Sequence, residues 1–133
     1  MQFEDLNWMD VEKYLQREDR LMLVTRATEH HAYLSLLTDI KIPLALADAS
    51  SEATGVLVAP PLNFGVSPYF LAYPGTLSLR VATLCAAVED LVRSAYGHGF
   101  KPCFIATAST EAESHQSYQL SLRSGSVLLT SCK

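Results

Sequence analysis

Residues 20–26, RLMLVTR, place four consecutive apolar side chains between two arginines. A run this short is too brief for a buried helix of ordinary length and fits a strand inside a sheet. Its surroundings decide the class of fold. Upstream, NWMDVEKYLQRED (7–19) carries Trp8, Val11 and Leu15 at helical spacing, with Tyr14 on the flank and Asn7 as N-cap. Downstream, TDIKIPLALADASSEAT (38–54) predicts a helix with Thr38 or Asp39 at its cap, Pro43 near the first turn and Gly55 beyond its end.

The alternation continues. GVLVAPP (55–61) is a second buried strand, stopped by Pro60 and Pro61, which have no N–H to donate. LRVATLCAAVEDLVRSAYGHG (79–99) is a helix capped by Ser78, with Val81, Leu84, Cys85, Val88, Leu91 and Val92 along one face and Gly97 and Gly99 at its stop. His98 lies where a histidine can satisfy the last free carbonyls. FKPCFIAT (100–107) is a third strand. Helix and strand in turn from residue 8 to about 106 imply an α/β fold, three-layered α/β/α around a mostly parallel central sheet and incomplete at the C-terminus. In such sheets ligands collect beyond the carboxyl ends of the strands. The Ser/Thr-rich stretch 107–133 departs from this rhythm, although SYQLSL and SVLLTS around Arg123-Ser124-Gly125 have the pattern of a hairpin. One domain over residues 1–133 is expected.

Apolar residues make up 49% and charged residues 18% of the 133. That leaves little polar material for the surface and implies a buried interface or missing structure. A net charge of −4 without any Lys/Arg cluster argues against nucleic acid as a partner. The start MQFEDLNW lacks the features of a secretory signal, and no segment has the length to cross a bilayer, so a soluble cytoplasmic protein without a membrane partner is expected. Cys85, Cys103 and Cys132 show no CxxC spacing and are odd in number, which argues against disulfides and cysteine-based zinc.

Chemistry concentrates in TEHHAYLSLLTD (28–39), between the first strand and the helix after it. Glu29, His31 and Asp39 offer oxygen and nitrogen donors suited to a divalent metal, Zn or Mn, with Fe also tolerated. Spacing alone also allows a plainer reading, in which Asp39 caps the helix and His31 packs or faces solvent. LNFGVSPYFLAYPGT (62–76) follows the second strand, reaches the same edge and exceeds the roughly 4–6 residues of an ordinary connection. Within it Phe64, Tyr69, Phe70 and Tyr73 read as loop core, Gly65 and Gly75 as turn residues, and Pro74-Gly75-Thr76 as a pocket wall. Glu111, Glu113 and His115 read as solvated loop residues rather than ligands.

Taken in order, LMLV, TEHHAYLSLLTD, PPLNFGVSPYFLAYPGTLSLR and a helix ending in GHGF resemble the creatinine amidohydrolase (creatininase) family over about residues 4–102. The second stretch is similar to the family's Gly-Ser-Thr-Glu-Gln-His-Gly-Pro-His-Leu-Pro-Leu-x-Thr-Asp. The third is similar to Gly-x-Ser-x-x-His followed by Phe-Pro-Gly-Thr-Leu-Ser. The resemblance implies that Glu29, His31 and Asp39 are metal ligands, with Asp39 bridging two ions. It also implies that metal-activated water hydrolyses a C–N bond of a small cyclic or formyl-type amide, and that the protein is a homo-oligomer.

This chain departs from the pattern in places. Arg26 and Ala27 replace Gly-Ser, His30 takes the glutamine position, AYL (32–34) is shorter by one residue than Gly-Pro-His-Leu, and Phe70 takes a histidine position. Where the family shows Asn-x-His-Gly-Gly-Asn, this chain reads IATASTEAES (105–114). Codons compatible with Ala106–Ala112, read one frame out, permit Asn, Ser or Gly, an aliphatic residue and His-Gly-Gly, so a shifted frame is expected near Lys101–Ala106. Two expectations result. One is a metal-dependent amidohydrolase. The other is a catalytically inactive, truncated member that keeps at most a partial metal site and acts by association through an exposed sheet edge.

Overall fold

The computed structural model describes residues 1–101, 103–106, 117–123 and 126–132. Helix α1 (Trp8–Leu15) begins at Asn7, whose Oδ1 accepts from the N–H groups of Met9 and Asp10 while the Asp10 carboxylate accepts from the Asn7 N–H. This reciprocal cap satisfies donors that so short a helix would otherwise leave free. Its buried anchor is Tyr14; Trp8, expected on the same stripe, is 73% exposed. Val11 and Leu15 of the same helix, and Phe3 and Leu6 before it, pack against the core while Trp8 faces solvent.

The Tyr14 hydroxyl donates to the Arg20 carbonyl at 2.7 Å and accepts from the Leu57 N–H at 3.1 Å. One side chain therefore ties α1 to the entry of two strands. Burial raises its pKa above the ordinary tyrosine value, opposed by the Leu57 N–H. Tyr14→Phe keeps the ring and leaves both backbone groups without that partner, so a loss of roughly 1–3 kcal/mol in unfolding free energy is expected by urea denaturation.

The next elements are β1 (Leu21–Val24), α2 (Thr38–Thr54), β2 (Leu57–Val58), α3 (Val81–Gly97) and β3 (Cys103–Ala106). The strands pair in the order β2-β1-β3, all parallel. Two-residue alternation sends Leu21 and Leu23 to one face, where they join Tyr14, Leu57, Ala59 and Phe100, with Val11 and Leu15 of α1 and Ala95 of α3 packed against them. Met22 and Val24 face the other way, with Val58 and with Leu44 and Ala47 of α2. Helices thus cover both faces, which is the three-layer α/β architecture. β4 (Ser117–Arg123) and β5 (Ser126–Cys132) pair antiparallel with Arg123 opposite Ser126, as the hairpin pattern indicates. Among the described residues no helix is long and apolar enough to cross a membrane.

β2 ends at Val58, before Pro60 and Pro61, as expected; isolated backbone bonds to the β1 segment persist on either side of the prolines, Ala59 N–H to the Met22 carbonyl and Leu62 N–H to the Val24 carbonyl. Two local expectations are corrected. Neither Thr38 nor Asp39 caps α2; Leu37 is the N-cap and has no side-chain oxygen to offer. Ser78 does not cap α3 either, because its hydroxyl accepts from the Ser67 N–H at 2.8 Å and the helix begins at Val81. On α3, Val88 and Val92 are buried while Leu91 is 46% exposed. At its end the backbone N–H of His98 reaches the Ser94 and Ala95 carbonyls, both at 3.2 Å.

Candidate metal centre

The chain leaving β1 is held against the loop that follows β2. Arg26 N–H bonds to the Leu62 carbonyl at 3.0 Å, and the Thr28 hydroxyl donates to the Asn63 carbonyl at 2.7 Å. Gly65 packs closely here: a β-carbon at this position would lie 3.2 Å from the Ala27 Cα, a tight contact that Ala27 would have to yield to. The Thr28 carbonyl accepts from Leu77 N–H at 3.0 Å, joining the far end of the long loop to the same segment.

Residues 29–36 then fold back on themselves. Glu29 N–H bonds to the Leu36 carbonyl at 3.1 Å and Leu34 N–H to the His31 carbonyl at 2.8 Å. Gly75, at φ 96°, lies against Leu36, and a β-carbon there would come within 2.6 Å of Leu36 Cδ1. The loop closes with Ala32 at φ 49°. Left-handed backbone costs an L-residue roughly 1–2 kcal/mol, partly offset by the greater entropy glycine loses on folding. Ala32→Gly is therefore expected to stabilise the protein by roughly 0.5–1 kcal/mol in thermal or urea unfolding; destabilisation would contradict this account of the turn.

Loop closure carries Glu29 and His31 to the first turn of α2, where Asp39 stands. One donor atom from each of the three residues lies within 4.8 Å of the others. His31 Nε2 is 2.9 Å from Asp39 Oδ1, and Nδ1 is 3.1 Å from the Glu29 carbonyl oxygen. All three residues are half-buried. The capping part of the plainer sequence reading fails on this geometry, because Leu37 is the N-cap and the Asp39 carboxylate faces the imidazole.

Burial disfavours the charged imidazole, but the Glu29 carbonyl and the Asp39 carboxylate outweigh it and raise the His31 pKa. The donor set fits a divalent ion. Nδ1–H donated to the Glu29 carbonyl fixes the ring and the tautomer, leaving the Nε2 lone pair for a cation beside two carboxylates. A proton and a metal ion are alternative occupants of the same direction at Nε2.

Around the triad, the His30 ring stacks on Tyr73 with centroids 3.8 Å apart and planes 6° from parallel, and Phe70 lies 6.2 Å away. Phe64, Tyr69 and Tyr73, expected as loop core, are 45%, 72% and 48% exposed; Phe70 is half-buried. Arg26 is half-buried, and its Nε is buried without a hydrogen-bond partner. Cys85 is a half-buried free thiol. Glu111, Glu113 and His115 lie outside the described residues. The His30–Tyr73 contact was not foreseen from sequence, since nothing in either local pattern signals a pairing across 43 positions.

The Creatininase family model, described as creatinine amidohydrolase, matches residues 4–116, continuing past Lys101–Ala106 in the frame of this chain. A creatinine amidohydrolase from Pseudomonas putida is 32% identical over 102 residues, 71% of this chain and 39% of that protein. A mutant creatininase complexed with creatine matches at TM-score 0.75 and 29% identity over 80% of this chain and 44% of that one. A manganese creatininase matches at TM-score 0.75 and 27% identity, covering 83% and 46%. The chain spans less than half the length of each of these relatives.

Proposed function

The chain belongs to the creatinine amidohydrolase family, an amidohydrolase family, and from that premise we propose that Glu29, His31 and Asp39 hold a divalent ion used to hydrolyse a C–N bond of a small cyclic or formyl-type amide. The observation that carries this reading is the convergence of three donors within 4.8 Å, with the imidazole already oriented by a backbone carbonyl. Mn and Zn suit the donors best, and Fe is compatible. When bound, such an ion polarises an amide carbonyl and makes water nucleophilic near neutral pH.

The chain's own residues supply position and charge. Asp39 is carried by the first turn of a seventeen-residue helix, a stiff mount. Glu29 and His31 are carried by a loop locked at both ends by backbone hydrogen bonds. The two carboxylates draw a cation and compensate its charge, and the Glu29 carbonyl keeps Nε2 turned toward Asp39. A second ion, as the family resemblance implies, calls for donors beyond these three.

Phe70 favours a second reading, a single-ion protein without hydrolysis. It sets an apolar ring, 6.2 Å from His30, at a position where the family pattern has histidine. Tyr33, Leu34, Tyr69 and Leu71, strongly exposed on the same loops, support self-association within either reading. The test is metal analysis after dialysis, combined with hydrolysis assays on cyclic and formyl amides and sedimentation. Bound metal with metal-dependent amide hydrolysis supports the enzyme. One equivalent without turnover supports the second reading, and no retained metal removes the metal site from both.

A further inference from the structure

We propose that His30 is a positioning residue: its ring, stacked on Tyr73, holds the backbone between Glu29 and His31 so that these two side chains converge on Asp39. The inference rests on the triad being a metal site. It assigns His30 a role as a planar ring and not as a donor of electrons to the ion.

Two peptide units of the 28–31 segment, 28–29 and 29–30, are tied to other parts of the fold. Leu77 N–H is bonded to the Thr28 carbonyl at 3.0 Å, and Glu29 N–H to the Leu36 carbonyl at 3.1 Å. His30 N–H donates to Thr76 Oγ1 at 3.1 Å, and Thr76 is only 7% exposed. The loop that presents these partners is itself knit by short turns, Tyr73 N–H to the Phe70 carbonyl at 3.0 Å and Thr76 N–H to the Tyr73 carbonyl at 3.2 Å. Tyr73 and Thr76 therefore grip residue 30 together, one by its ring and one by its amide.

The stack is the side-chain half of that grip. Its centroid separation of 3.8 Å and its 6° tilt describe parallel stacking, and the Phe70 ring lies tilted beside His30 at 6.2 Å. Half-exposed Tyr73 is not otherwise sunk in the core. Among the described residues, the stack with His30 is the aromatic contact of its ring. Neighbouring residues in a chain share peptide planes, so rotation at residue 30 displaces both Glu29 and His31. Ligand atoms gathered within 4.8 Å tolerate little such displacement. Glutamine at this position, as in the family signature, offers no aromatic face; here the ring provides one, beside a shortened loop.

The test compares His30→Ala, His30→Phe, Tyr73→Ala and the double alanine variant by Mn²⁺ titration calorimetry and by amide hydrogen exchange of the metal-free protein. His30→Ala and Tyr73→Ala are each expected to weaken Mn²⁺ binding by about 10-fold, the scale of losing a group that orients a metal ligand. The double variant should lie within about twofold of either single one, because both remove the same contact. His30→Phe, which keeps a stacking ring and has no nitrogen, should bind within about twofold of the parent, a rescue that a direct ligand could not show. In the metal-free protein, exchange at the Glu29 and His30 amides should speed up in His30→Ala and not in His30→Phe.

Equal losses in His30→Phe and His30→Ala would make His30 a ligand and overturn the proposal. Parent-like affinity and exchange in His30→Ala would overturn it as well. If the parent binds no Mn²⁺, the metal reading fails, and exchange alone then judges the stack: faster exchange in His30→Ala with rescue by phenylalanine upholds the hold on the backbone, and unchanged exchange rejects it.

Discussion

Asp39→Ala is expected to lower affinity for Mn²⁺ or Zn²⁺ by more than about 100-fold, beyond the roughly 10–100-fold that follows loss of an outer-shell partner. The Asp39 carboxylate is the donor nearest His31 Nε2, at 2.9 Å, and it alone among the three belongs to a helix. Its removal leaves one carboxylate and one imidazole, too few donors to replace the water around a divalent ion. Direct titration at fixed pH with Asp39→Asn alongside separates lost charge from lost shape. Parent-like affinity in Asp39→Ala would mean that the triad does not hold the metal.

The pH dependence of the same titration has a definite sign. With its pKa raised by the Glu29 carbonyl and the Asp39 carboxylate against the opposing effect of burial, His31 stays protonated further up the pH scale than a free histidine. In the metal-free protein this contribution to stability is complete below the unfolded value of about 6.5 and disappears as pH rises through the folded value. Metal affinity runs the opposite way, rising over the same window, because ion and proton compete for Nε2. Affinity that stays flat through that window would exclude His31 as a ligand.

Leu57→Ala is expected to cost about 2–5 kcal/mol in urea denaturation, the usual range for emptying a fully buried leucine site. Leu57 is 0% exposed on β2, packed with Tyr14, Leu21, Leu23, Ala59 and Phe100, and its N–H bonds to the Tyr14 hydroxyl. The consequence extends to the site, since β2 delivers the loop whose Asn63, Gly65 and Thr76 hold residues 27–30. Leu46→Ala is the control: this residue of α2 is 62% exposed and its loss should cost about 0.5 kcal/mol or less. A cost below about 1 kcal/mol at Leu57 would place the core elsewhere.

Much of this was legible locally. The extent of α2, its stop at Gly55 and the strand character of 21–24 and 103–106 all follow from short-range pattern. The mistaken caps share one cause. Ser78 and Asp39 are good caps in isolation, but the Ser67 N–H and the His31 ring, brought in by other segments, take the oxygens first. Trp8 and Leu91 also fit the apolar stripes of their helices, yet both are left exposed in the folded chain.

By itself, the sequence determined the alternation of helix and strand, the parallel α/β class and the residue types able to bind a divalent ion. Periodicity, glycine stops and donor chemistry are properties of neighbouring residues. Tertiary structure alone decided that Glu29, His31 and Asp39 meet, that Asp39 turns away from helix capping, and that His30 lies on Tyr73. Those outcomes depend on contacts between segments: Gly65 against Ala27, Gly75 against Leu36 and Thr76 on the His30 amide. No short-range pattern encodes such contacts, because each exists only once two distant stretches have been packed at the edge of the same sheet.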